Sequence, residues 1–74
     1  MCLGEIGRVE RVEPDGRVVV RVGERLREAA ALIPGVDPVA GQWVLINSGI
    51  VLEELEPERA ADALEIRRAW GLAS

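Results

Sequence analysis

The stretch Arg17-Val18-Val19-Val20-Arg21-Val22 is closed at both ends by tight-turn chemistry, Pro14-Asp15-Gly16 before it and Gly23-Glu24 after it. A valine-rich run this short, held between two turns, reads as a strand and forces the chain to reverse twice in quick succession. The fold therefore begins as an antiparallel meander. Val18, Val20 and Val22 share one face of that strand, and Arg17, Val19 and Arg21 share the other. Upstream, Ile6 to Glu13 carries Val9 and Val12 on opposite parities. A strand there needs a bulge or a bend to bury both valines.

Downstream, Arg25 to Leu32 reads as a third strand, although the run Ala29-Ala30-Ala31 leaves a helix open. Pro34-Gly35, Pro38 and Gly41 mark an irregular loop from Ile33 to Gly41. Trp43-Val44-Leu45-Ile46 is apolar throughout, which predicts a strand covered on both faces or placed at a barrel closure. Asn47-Ser48-Gly49 supplies turn chemistry, and Ile50 to Leu55 resumes as a strand. Pro57 suits the first turn of a helix reaching about Trp70, ended by Gly71. Ala60, Ala63, Leu64, Ile66 and Trp70 fall on one broad arc of that helix. Arg67 lies within the arc, so it must snorkel to water or find a partner. Four to five short strands and a terminal helix predict a mainly β fold, a small, partly open barrel. The expected division of the single domain 1–74 is a barrel with its N-terminal arm over 1–56 and a helix over 57–70.

Size and composition then remove function classes. A chain of 74 residues buries only about 60% of its unfolded surface. Its core supplies about 3–5 kcal/mol without further bracing. One cysteine cannot close an internal disulfide, and the absence of histidine removes Cys/His zinc sites and histidine-based triads. The lone thiol, with no signal-peptide pattern and no apolar run long enough for a bilayer, predicts a reducing, cytoplasmic setting. A net charge of −4 disfavours a grip on nucleic acid or anionic lipid. The cysteine itself is Cys2. If Met1 is trimmed, its thiol and the free α-amine share one terminal residue, open to a partner, a metal or an oxidant.

Met1-Cys2-Leu3-Gly4, Gly7-Arg8-Val9, the valine-rich second strand, Gly41-Gln42-Trp43-Val44-Leu45-Ile46 and Gly49 occur in a fixed order. Together they resemble the HypC/HupF/HybG family of small hydrogenase maturation chaperones, over nearly the whole chain. The resemblance implies an OB-like β-barrel with a C-terminal helix, and a carrier and escort that is not an enzyme. It implies association with the scaffold protein HypD and then with the precursor of the [NiFe]-hydrogenase large subunit. The transient cargo it implies is iron with cyanide and carbon monoxide ligands, with nothing permanently bound. Cys2 matches the family cysteine required for those associations and is the implied iron ligand. Leu3, Gly4 and Gly7 belong to its arm. The family usually has proline at the place of Ile6 and histidine at the place of Asn47. Asparagine does not replace imidazole as a strong ligand, so docking is better supported here than direct iron binding.

Each of these residues also has a structural reading. Trp43 is flanked by apolar strand residues and reads first as core, with a partner surface as its second role. Asn47 suits a strand interruption, and Gly49 a positive φ or a close approach. Glu53, Glu54, Glu56 and Glu58 read as a solvated face and helix N-terminal charge. Trp70 either seals the barrel or stands exposed for a partner. Two other function classes compete. An OB-like nucleic-acid binder is disfavoured by two tryptophans, no Phe or Tyr and the acidic balance. An enzyme with an N-terminal cysteine nucleophile lacks a base and room for a pocket.

Overall fold

The structure, a computed structural model, describes residues 4–71. In chain order the elements are β1 (Glu5–Val12), β2 (Arg17–Val22), β3 (Arg25–Ala30), β4 (Trp43–Asn47), β5 (Ile50–Leu55) and α1 (Pro57–Ala69). The strands close into a barrel in the order β1-β2-β3-β5-β4, with β4 returning to β1. The expected OB-like barrel with a terminal helix is the architecture found, but it is closed rather than partly open. Closure runs through a short parallel contact of Ala30 with Ile50, where the Ala30 N–H donates to the Gly49 carbonyl at 2.8 Å.

The meander forms where the turns require it. β2 spans the residues the two turns enclose, and its hairpin with β3 pairs Val22 with Arg25 across Gly23-Glu24. Ala29 and Ala30 stay extended because they lie in the ladder with β2, overriding alanine's helical preference, and Ala31 falls in the loop that follows. β3 ends at Ala30, two residues short of Leu32, and Leu32 stands exposed. β1 does carry a bulge: Val9 pairs with Val20 but Arg11 pairs with Val19, so Glu10 is the extra residue. The shift puts Val12 opposite the buried Val18, yet Val12 lies near the hairpin tip and is 45% exposed. Val19, placed on the arginine face, is nonetheless buried, between Arg11 and Glu28 in the ladder.

Two apolar clusters hold the fold. The barrel interior is Val9, Val18, Val20, Val22, Ala29, Val44, Ile46 and Val51, with Ala31 and Val36 of the loop packed against it. Burying each valine or isoleucine there contributes about 1.5–3 kcal/mol against the chain entropy. The second cluster lies outside the barrel wall, where Ile6, Leu55 and Ala60 join Trp43, Leu45, Ala63 and Leu64. β4 is thus covered on both faces, as its unbroken apolar sequence predicted, by the interior on one side and α1 on the other. The helix contacts the wall through Ala60, Ala63, Leu64 and Arg67, a spacing of i, i+3, i+4 and i+7. Ile66 and Trp70, expected on the same arc, are 60% and 79% exposed. The buried stripe is narrower than the wheel predicted.

The β4–β5 hairpin turns on Ser48 and Gly49, both at positive φ (55° and 76°), as a two-residue type I′ connection requires. Serine is strained there, whereas asparagine tolerates this conformation. Ser48→Asn is expected to stabilise the protein by about 0.5 kcal/mol, read as a rise in thermal midpoint by circular dichroism. A fall in midpoint would mean that the Ser48 hydroxyl, 3.3 Å from Asn47 Oδ1, matters more than the backbone.

Candidate functional site

β1 begins beside the far end of β4. Glu5 pairs with Ile46, which places Gly4 next to Asn47 and the hairpin that follows it. The approach is close: a Cβ on Gly4 would stand 2.9 Å from the Ile46 carbonyl oxygen and 3.1 Å from Leu45 Cδ1. From the other side Arg67 of α1 donates from Nη1 to the Gly4 carbonyl at 2.7 Å, in a half-buried setting. The arginine that the helical wheel left inside the apolar arc therefore has its partner. It clamps the helix to the root of the arm. Glu5 is held in turn by Arg27 of β3 at 3.4 Å.

The sequence-predicted residues separate into distinct places. Cys2 and Leu3 lie outside the described residues, and Gly4, joined to the start of β1, is the root of the arm. Gly4 and Asn47 come together at one end of the barrel. Asn47 is half-buried and accepts the Ser48 hydroxyl on Oδ1 at 3.3 Å. Gly7 faces the interior as part of the wall, where a Cβ would meet Val20 and Val22 side chains and the Arg21 carbonyl. A Cβ on Gly49 would have nothing within 4 Å, so its positive φ, not a close approach, calls for glycine. Trp43 is at the opposite end of β4, about 13 Å from Asn47 at strand rise, paired with Arg8 and Leu55. It is half-buried and packs in the helix-side cluster.

Among the described residues, no three His, Cys, Asp or Glu side chains are grouped to hold a metal. What the arm end offers is a firmly positioned backbone root, an amide side chain and an arginine.

A family model described as the HupF/HypC family matches residues 1–67. The chain belongs to the HupF/HypC family. The match runs from the start of the arm through every strand and along the helix as far as Arg67. No curated protein matches the chain. Membership in the HupF/HypC family brings a role in hydrogenase maturation, as a chaperone that works with other maturation proteins. Among the described residues of this HupF/HypC protein, no helix is long and apolar enough to cross a membrane.

One residue of the arm end, Arg67, was legible in sequence only as a misfit on an apolar arc. Its target, a backbone carbonyl on Gly4, carries no signature in the amino-acid sequence. A charge inside an apolar stripe was the available signal.

Proposed function

We propose that this protein is a [NiFe]-hydrogenase maturation chaperone that docks through Cys2, first on a HypD-type scaffold and then on the large-subunit precursor. The observation that carries this reading is the family match across residues 1–67, which includes the chain's single thiol. Its action is escort rather than catalysis, in the reducing cytoplasm. The cargo is the Fe(CN)2CO fragment, held transiently. A thiolate is a soft donor suited to iron with strong-field ligands, and it must be deprotonated to bind. Asn47 stands where the family usually has histidine, so this chain supplies Cys2 as its one strong donor and the partner completes the coordination. The Asn47 amide then serves the cyanide nitrogen, or the partner's backbone, as a hydrogen-bond donor. One ligand on an arm lets the fragment move on, whereas a closed four-ligand site would keep it.

Anaerobic co-purification tests this with the wild type and Cys2→Ala side by side. The wild type should retain a HypD-type scaffold and show cyanide and carbonyl stretches by infrared spectroscopy. Cys2→Ala should lose recovery of the scaffold about tenfold or more, equivalent to about 1.4 kcal/mol of binding. Equal recovery of both variants would remove the thiol from the docking contact. A stable complex without the infrared bands would leave docking in place and strike out the cargo.

A further inference from the structure

Across β4, β1 and β2 three side chains stand in one row: Trp43 pairs with Arg8, and Arg8 pairs with Arg21. Directly opposed residues on neighbouring strands project from the same face, and like charges in that position repel. Here two arginines oppose each other on a chain with 13 acidic residues and a net charge of −4. Together with Arg68 from the last turn of α1 they rim a groove of about 500 Å³, floored by Ile6, Trp43 and Leu64.

The three guanidinium groups are not equally satisfied. Arg21 donates to Glu10 at 2.7 Å, and that bond holds the Glu10 carboxyl below its usual range, so a carboxylate answers this charge. Arg8 donates from Nε to the Gly41 carbonyl at 3.1 Å, a neutral acceptor, and the Glu10 carboxylate already paired with Arg21 answers its charge only through space. Among the described residues the Arg68 guanidinium has no hydrogen-bond or ion-pair partner. Among the described residues the groove thus presents two guanidinium groups that no carboxylate binds directly, above an indole and two aliphatic side chains. A carboxylate beside an apolar side chain is the complementary chemistry, since arginine accepts carboxylates in a two-pronged geometry and desolvated pairs gain strength. A long polyanion fits less well, because outside the groove its backbone would meet a chain of net charge −4.

We propose that this groove binds a short acidic segment of a partner protein, with carboxylates on Arg8 and Arg68 and one apolar side chain over Trp43 and Leu64. It is a second contact, at the opposite end of β4 from the Cys2 arm. It depends on this chain's own arginines, whichever protein the arm meets. Loss of Cys2 should therefore leave it intact.

The test uses the full chain with Trp70→Phe, which makes Trp43 the sole indole. A capped peptide of four glutamates around one leucine is titrated in, beside the same peptide with glutamines. The acidic peptide should give a saturable change in Trp43 emission, weakened by raised salt, and the glutamine peptide none. Arg68→Gln touches no described partner and should weaken binding about fivefold or more. Equal binding of the glutamine peptide would overturn the proposal, as would an unchanged affinity in Arg68→Gln. So would tighter binding of a single-stranded thymidine oligonucleotide, which would make the groove a nucleic-acid contact. Self-association that shields Trp43 without peptide would assign the groove to a second copy of the chain.

Discussion

Gly7→Ala should leave a large fraction of this protein unfolded near room temperature. The added Cβ would lie 2.5 Å from Val20 Cγ1, 2.6 Å from the Arg21 carbonyl oxygen and 2.9 Å from Val22 Cγ2. Two of those neighbours are core methyls, and the third is backbone in the strand paired with β1. A rotamer change cannot relieve the carbonyl contact, so β1 and β2 must separate. Overpacking of this kind costs about 3 kcal/mol, against a total of about 3–5 kcal/mol for a core this small. The thermal midpoint should fall by roughly 12–24 °C, at about 4–8 °C per kcal/mol. Gly49→Ala supplies the control: it has open space but a φ of 76°, and should cost about 1 kcal/mol from backbone strain alone. Circular dichroism melts of both variants decide the matter. A Gly7→Ala midpoint at or above that of Gly49→Ala would show that the strands are not packed as closely as described.

The two variants also mark what a sequence does and does not disclose. Gly49 was readable because turn chemistry is local, and so were the ends of β2 and the start of α1 at Pro57. Gly7 was noticed only within a motif, since its reason lies across the sheet in Val20 and Val22. The need for a bulge in β1 followed from the opposed parities of Val9 and Val12. Its place at Glu10 did not, and that place has consequences. Counting back from Val12 opposite Val18, an unbroken ladder would set Arg8 opposite Val22. The one-residue shift at Glu10 sets Arg8 opposite Arg21 instead, and so assembles the basic groove. Closure of the barrel was equally out of reach, because the Ala30 to Gly49 bond joins residues separated by an irregular loop and the whole of β4. On α1 the wheel gave the phase of the buried stripe correctly. It could not give the width, which is set by how far the curved wall reaches, and that reach stops short of Ile66 and Trp70.

Arg67→Met should loosen the root of the arm while leaving the far side of the barrel in place. Methionine keeps an aliphatic stem against the wall but removes the donor at 2.7 Å from the Gly4 carbonyl. A hydrogen bond from a charged group contributes about 1.5–3 kcal/mol, and its loss leaves a half-buried carbonyl without its arginine donor. The whole-protein midpoint should drop by roughly 6–24 °C. The distribution of the effect is the sharper measurement. Amide exchange should accelerate first in residues 4–6 and in the last turns of α1, where the clamp joins arm to helix. The β2–β3 hairpin, held by its own ladder from Arg17 opposite Ala30 to Val22 opposite Arg25, should slow or quicken only with global stability. Uniform acceleration across the barrel would mean that Arg67 supports the fold as a whole rather than the arm. Arg67→Lys keeps the charge with a single-point donor and should recover part of the protection. Partner recovery then separates two roles for the arm. If docking needs Cys2 presented from a fixed root, Arg67→Met with its thiol intact should recover less partner than the wild type and more than Cys2→Ala. Recovery equal to the wild type would show that the thiol alone suffices, wherever its root is held.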